Sequence, residues 1–344
     1  MQHSPQLTIL IPTHRRPLLL ARALRHYAAS GLNVIVADST QEPFALAMDF
    51  PMARYLHLPG MPFESKLQRL AESVETPYAV LCADDDLTNI ASMRRCADFL
   101  DAHPDHVGAH GHYVRVLRQA GRCLVEPCYL DTHRAGILSD VPRQRLLDLC
   151  QPYVPLFYAV LRAEVLRRSF GPGHEAERFY ASSELALGMV AAMLGKVAVL
   201  PTLHTVRDII PSVDLAGPRC DNLGVVSTAP QYREVYGLFT KRLSHIMAEV
   251  SGLDEASARQ AVLDSIAGFV VGYCARGKRR PLWRKLPKYA RRLARVLVPG
   301  QAASQDAQAQ AARIAALETY LSPAGAQAHE ELACLLTGLE CNPG

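Results

Sequence analysis

Three times in the first ninety residues, a short apolar run ends in a cluster of polar residues. Leu7-Thr8-Ile9-Leu10-Ile11 leads to Thr13-His14-Arg15-Arg16. Val34-Ile35-Val36-Ala37 leads to Asp38-Ser39-Thr40, and Tyr78 to Cys82 leads to Asp84-Asp85-Asp86. Helical stripes separate them: Leu20, Ala23, Leu24 and Tyr27, then Leu67, Leu70, Ala71 and Val74. A further strand is expected at Arg54–Leu58, and Ile90, Met93, Ala97 and Leu100 stripe the next helix. Apolar, non-alternating strands that alternate with amphipathic helices specify a mostly parallel sheet covered on both faces. Such sheets bind ligands beyond the carboxyl ends of their strands. Each polar cluster falls at such an end.

The rest of the chain is mixed, then helical. Val107–Leu117, Cys123–Tyr129, Leu156–Leu161 and Val197–Leu203 read as strands, and Pro142–Cys150, Ala163–Phe170 and Ser182–Leu194 as helices. After about residue 228 strand signals stop. Tyr232–Val250, Ala256–Ala275 and Lys288–Val298 read as helices, and Gly300–Ala312 as a linker or a weakly anchored helix start. At 344 residues, about two domains are expected, here 1–225 (α/β) and 226–344 (helical). The nine cysteines are scattered without a C-x-x-C pair, which argues against a disulfide framework or a zinc site and for a reducing cytoplasm. Leu7–Ile11 stops at Pro12 and basic residues, unlike a secretory leader.

Three consecutive aspartates after a buried strand repel one another, and a cation relieves that repulsion. Mg²⁺ and Mn²⁺ are hard cations, held by one or two carboxylates together with substrate phosphates. The competing reading is a solvated turn capping the helix at Asn89–Leu100. The motifs decide for the first. Thr8-Ile9-Leu10-Ile11-Pro12-Thr13-His14-Arg15-Arg16 resembles the opening strand and P-T-x-x-R signature of family-2-like glycosyltransferases of the GT-A fold. Val36-Ala37-Asp38-Ser39-Thr40 resembles their second strand and turn. Lys66 followed by Thr76-Pro77-Tyr78-Ala79-Val80-Leu81-Cys82-Ala83-Asp84-Asp85-Asp86 resembles the approach to their D-x-D motif. The likeness covers residues 5–105 well and 150–210 loosely.

The resemblance implies a GT-A-like α/β fold, a nucleotide-diphospho-sugar donor and a hydroxyl acceptor on a glycan or lipid. It implies Thr13 and Arg15 near the nucleobase, Asp38 accepting a base N–H, Asp84 near ribose and Asp86 on Mn²⁺ or Mg²⁺. Asp85 can exchange roles with either neighbour, so Asp84 is also a candidate metal ligand. Lys66 is a candidate for the diphosphate, against an ordinary surface lysine. Arg207, after Val197–Leu203, suits a diphosphate by its bidentate fork. The family's acidic pair falls near Ala181-Ser182, which cannot serve as base. Glu184 is the nearest carboxylate, a general base or a first-turn capping glutamate. His110-x-His112 would share one strand face, and His103 and His106 flank Pro104; a structural reading is preferred to a metal set. Two rivals are a non-catalytic nucleotide-sugar-binding or scaffold protein and a nucleotidyltransferase, although Pro12–Arg16 lacks the glycine-rich loop of the latter.

Net charge is +4, too mild to imply nucleic acid, but it is unevenly spread. Ten Lys/Arg and no Asp/Glu fall between Arg276 and Arg295, so the remainder is acidic. Lys288, Arg291, Arg292 and Arg295 form one helical face, and Tyr289, Leu293, Val296 and Leu297 another, with Trp283 upstream. Segment 276–298 therefore fits a helix lying on an anionic membrane surface, or one packed on the catalytic domain with its charges solvated.

Overall fold

The computed structural model describes residues 6–28, 30–119, 122–129, 136–153, 155–179, 182–209, 223–278, 315–317, 319–325 and 327–340. The first half runs β1 (Leu7–Thr13), α1 (Pro17–Ala28), β2 (Asn33–Asp38), β3 (Ala53–His57), α2 (Phe63–Glu72), β4 (Tyr78–Leu81), β5 (Leu87–Thr88) and α3 (Ile90–Ala102). There follow β6 (His106–Gln119), β7 (Arg122–Pro127), α4 (Pro142–Cys150), β8 (Val160–Arg162), α5 (Ala163–Ser169), α6 (Ser182–Leu194) and β9 (Lys196–Asp208). The described remainder contains α7 (Leu223–Thr228), α8 (Arg233–Ser251), α9 (Glu255–Lys278) and α10 (Gln327–Glu340).

The sheet order is β3-β2-β1-β4-β8-β6-β9-β5, with β7 hairpinned onto β6. β3, β2, β1 and β4 are parallel, and β9 is parallel to β6. β8 sits antiparallel between β4 and β6, so β1, β2, β4, β6 and β9 all point the same way. Their carboxyl ends make one rim.

Helices cover both faces, as the continuous burial of β1, β2 and β4 requires. α1 and α3 lie over Ile9, Ile11, Val34, Val36 and Val80 through Leu20, Leu24, Tyr27, Met93 and Leu100. On the other face Leu67 and Leu70 of α2 join α4, α5 and the almost wholly buried α6. Phe239, Leu243 and Met247 of α8 and Val262 and Ile266 of α9 belong to that same core. α10 closes a third cluster over Leu87, Val114, Val116, Leu203 and Val206.

Two strand expectations change, and one strand was not expected. Leu156–Leu161 pairs only from Val160, because the Ala159 amide closes a turn onto Leu156 O. β9 continues five residues past Leu203, so Arg207 lies in the strand rather than after it. The two-residue β5 is too short to leave a pattern in the sequence. The expected helix at Lys288–Val298, the segment Gly300–Ala312 and most of the basic stretch lie outside the described residues. No helix among the described residues is long and apolar enough to cross a membrane.

Candidate active site at the carboxyl rim of the sheet

β1 delivers Thr13 to the rim, β2 delivers Asp38, and the turn after β4 delivers Asp84–Asp86. That turn does not cap α3. Asn89 does so, accepting from the Ala91 and Ser92 amides, and β5 separates it from the aspartates. The reading of the aspartate run as a helix cap is therefore set aside. A buried arginine on α1 holds the run in place: Arg22 Nη2 donates to Asp85 O at 2.6 Å, and Nη1 to Asp208 Oδ2 at 2.9 Å.

The rim residues form two hydrogen-bonded groups, one around the aspartate turn and one around Asp38. Thr13 Oγ1 donates to Asp84 Oδ2 at 2.6 Å. Arg16 Nη1 donates to Asp84 Oδ1 at 2.9 Å and Asp85 Oδ2 at 2.8 Å. Lys66, buried on α2, donates to Thr13 O at 2.8 Å. Asp38 accepts from the Thr40 amide and hydroxyl and from Tyr55 OH. Asp86 Oδ1 accepts from the Asp208 amide at 2.8 Å, and its Oδ2 from Arg207 Nε at 3.2 Å and the Tyr158 hydroxyl. Arg207 Nη1 continues to Tyr129 OH at 2.7 Å. Arg15 and Tyr129, the only non-glycine residues with positive φ among those described, both lie here, at 55° and 59°. Such conformations are costly for bulky side chains and concentrate at functional sites.

The electrostatics follow from burial. Desolvation pushes Asp86 up to about 6, against the pull of the Arg207 guanidinium beside it. It raises Asp84 too, although Thr13 and Arg16 oppose this. It lowers Lys66 to about 8, with Asp38, Asp84 and Glu64 resisting. An ammonium so poorly solvated gains most from a new anion.

Thr13, Asp38, Lys66, Asp84, Asp85, Asp86 and Arg207 are thus brought together. Arg15 contributes only its backbone amide, to Thr40 Oγ1, and its side chain is exposed; the ion pair to the aspartates comes from Arg16. Glu184 is exposed in the first turn of α6, where Tyr153 OH donates to it at 2.9 Å. Its charge acts on Tyr129, which links it to the Arg207 side of the rim. Ser182 is buried, and Ala181 lies outside the described residues. Tyr158, Tyr129, Arg22 and Asp208 escaped the sequence reading. Of these, Asp208 alone had a sequence cue, its place directly after Arg207.

The histidines are held internally. Burial lowers His204 to about 3; its Nε2 donates to Tyr158 O at 2.7 Å and its Nδ1 accepts from Ser92 Oγ, so it braces Tyr158. His110 stacks on Tyr113, whereas His112 meets Tyr320. The two are near enough for the His112 charge to lower His110 further, beyond the effect of burial. His103 and His106 pack around Phe99.

Among the described residues, no three His, Cys, Asp or Glu side chains are grouped to hold a metal ion by themselves. The donor set does fit a hard cation that shares its ligands with a substrate. Asp84 and Asp86 are buried carboxylates, and a cationic guanidinium already stands on Asp86.

No known family model matches the sequence, and neither does any curated protein. Solved structures do match. The crystal structure of S. aureus TarS 1-349 in complex with UDP-GlcNAc superposes with a TM-score of 0.53 at 13% identity, covering 76% of this chain and 72% of that one. The crystal structure of S. aureus TarS 1-349 without that ligand gives 0.48 at 13% identity, with 80% and 92% covered. The chain shares its fold with S. aureus TarS, which in the first of these structures holds UDP-GlcNAc.

Proposed function

We propose that the protein is a glycosyltransferase that moves a sugar from a nucleotide-diphosphate donor to a hydroxyl acceptor. One observation carries the reading: Thr13, Asp38, Lys66, Asp84–Asp86 and Arg207 come from five separate elements and lie on one rim, with Lys66 between the charges of Asp38 and Asp84, where such a fold binds ligands. The TarS complex with UDP-GlcNAc supports a nucleotide-sugar as the donor class.

In this reading Asp38 and Thr13 receive the nucleoside and Asp84 lies near ribose. Asp86, with Asp84, would hold Mg²⁺ or Mn²⁺, which when bound supplies positive charge to a leaving diphosphate. The acceptor oxygen attacks the anomeric carbon as the bond from that carbon to the diphosphate oxygen breaks. Lys66 and Arg207 face the negative charge that develops there. Glu184 takes the acceptor proton, with Tyr153 orienting its carboxylate. The exposure of Glu184, and Ala181-Ser182 standing where the family's acidic pair would fall, favour a second reading, a nucleotide-sugar-binding protein without transfer.

The first test is a thermal-shift screen of nucleotide sugars with and without Mn²⁺, followed by assay of donor hydrolysis or transfer. A stabilising donor that is turned over supports the enzyme, and a stabilising donor never turned over supports the second reading. No stabilisation by any nucleotide sugar refutes both. The basic segment 276–298 extends the proposal to a cytoplasmic protein that contacts an anionic membrane and uses a lipid-carried or glycan acceptor. Failure to co-sediment with anionic vesicles at low salt removes that extension.

A further inference from the structure

Both Asp86 oxygens are committed. Oδ1 takes the Asp208 amide, and Oδ2 takes Tyr158 OH and the Arg207 guanidinium. The Asp86 side chain is 4% exposed and that of Arg207 31%, so the carboxylate is fixed while its counter-ion retains a path to solvent. Arg207 is steadied on its outer side by Tyr129 OH and lies 5.7 Å from the centre of the Tyr158 ring. The neighbouring aspartates are likewise paired: Asp84 and Asp85 with Arg16, and Asp208 with Arg22. With Lys66, on which Asp84 also acts, four cations face these four aspartates, so this part of the ligand-free rim leaves little residual field to draw a divalent cation.

A diphosphate changes that balance. It brings negative charge, further hard oxygen ligands and a bidentate target for a guanidinium. Building on the transferase reading, we infer that Arg207 is an exchangeable counter-ion of Asp86 that makes divalent-cation binding conditional on a nucleoside diphosphate. Without nucleotide, Arg207 occupies the face of Asp86 that a cation would use. With nucleotide, the guanidinium transfers to phosphate and opens one side of Oδ2, while Tyr158 on that same oxygen and the Asp208 amide on Oδ1 keep the carboxylate in place. No covalent bond is made or broken in the exchange.

The experiment is Mn²⁺ titration of the full chain followed by electron paramagnetic resonance of the free ion, with and without UDP, corrected for Mn²⁺–UDP formed without protein. Wild-type protein should bind Mn²⁺ at least about tenfold more tightly with UDP than without it. Arg207→Gln should bind Mn²⁺ without UDP at least about tenfold more tightly than wild type, and Arg207→Lys, which keeps the charge, should stay closer to wild type. Wild-type Mn²⁺ affinity that is indifferent to UDP, or no gain in Arg207→Gln, overturns the inference. Should Arg207→Gln not fold, Tyr129→Phe removes the outer support of Arg207 and must shift UDP-free Mn²⁺ binding the same way. UDP binding is followed separately by thermal shift. Absence of binding by UDP and by every other nucleoside diphosphate tried refutes the transferase reading, whereas UDP binding with flat Mn²⁺ behaviour refutes only the exchange.

Discussion

Lys66 shows how a single buried charge reports on a ligand. Its ammonium is 2.8 Å from Thr13 O and almost fully buried, and desolvation lowers it to about 8. At pH 8.5 a large share of the free protein therefore carries a neutral Lys66. A diphosphate bound beside it favours the charged form, so binding at that pH should take up a proton. Calorimetry of UDP binding in buffers of different ionisation enthalpy checks this. Lys66→Met should abolish the uptake and weaken UDP by roughly 10- to 100-fold, the range of a charge-assisted hydrogen bond. Equal proton uptake in the variant would remove Lys66 from the site. Thr13, Asp38, Lys66 and the aspartates were legible because each follows a strand signal or fills a local motif. Tyr158, Tyr129 and Arg22 were not, since each reaches the rim across 60 or more residues of sequence or through a backbone turn without a side-chain pattern.

At the scale of elements, α6 and its entrance show what patterning does and does not convey. Its bounds match the sequence reading because Ser182–Leu194 is apolar nearly all round, and the helix is buried nearly all round. The segment before it carries no such signal, yet it contains a buried lock. His174 Nδ1 lies 3.1 Å from Glu177 Oε2 and its Nε2 lies 3.1 Å from Ser183 Oγ, while Arg242 of α8 grips Glu177 at 2.6 and 2.8 Å. Polar contacts between residues 65 apart leave no periodic trace. Burial alone would push Glu177 up, but Arg242 and His174 outweigh it, and the carboxyl sits below its usual range. A depressed carboxyl stabilises the fold above its unfolded value and loses that contribution as pH falls through its folded one. Glu177→Gln should cost about 3–5 kcal/mol at pH 7, because it strands Arg242, and the penalty should shrink as pH drops from 5 toward 3. Urea melts of both proteins across that window measure it. A penalty independent of pH would contradict the ion-pair account.

At the scale of the whole molecule, the chain returns to the site from its far end. The sequence suggested a helical region over 226–344, since strand signals stop after about residue 228. In the structure, Leu321, Ala328, Leu335 and Leu339 are buried against Leu87, Val116, Leu203 and Val206, directly behind the aspartate turn and the end of β9. Glu331 of α10 accepts from Asn89 Nδ2 at 2.6 Å and Arg95 Nη2 at 3.0 Å, tying the cap of α3 to the C-terminal helix. Tyr320 OH accepts from the Tyr113 amide at 2.9 Å and donates to Cys128 O at 3.1 Å, next to Tyr129, whose hydroxyl holds Arg207. The C-terminal segment thus backs the charged rim through one carboxylate, one hydroxyl and one apolar face, and the last two separate two kinds of damage. Leu321→Ala should lower stability by about 2–5 kcal/mol through a cavity, with UDP affinity unchanged where the protein is folded. Tyr320→Phe keeps the ring and leaves two buried backbone groups without their partner, at a cost of about 1–3 kcal/mol. Because those groups set the approach to Tyr129, Tyr320→Phe should also weaken UDP binding by severalfold at a temperature where both variants are fully folded. Thermal melts paired with UDP titrations distinguish the two. Equal UDP affinity in Tyr320→Phe and wild type would show that the C-terminal segment stabilises the sheet without shaping the site.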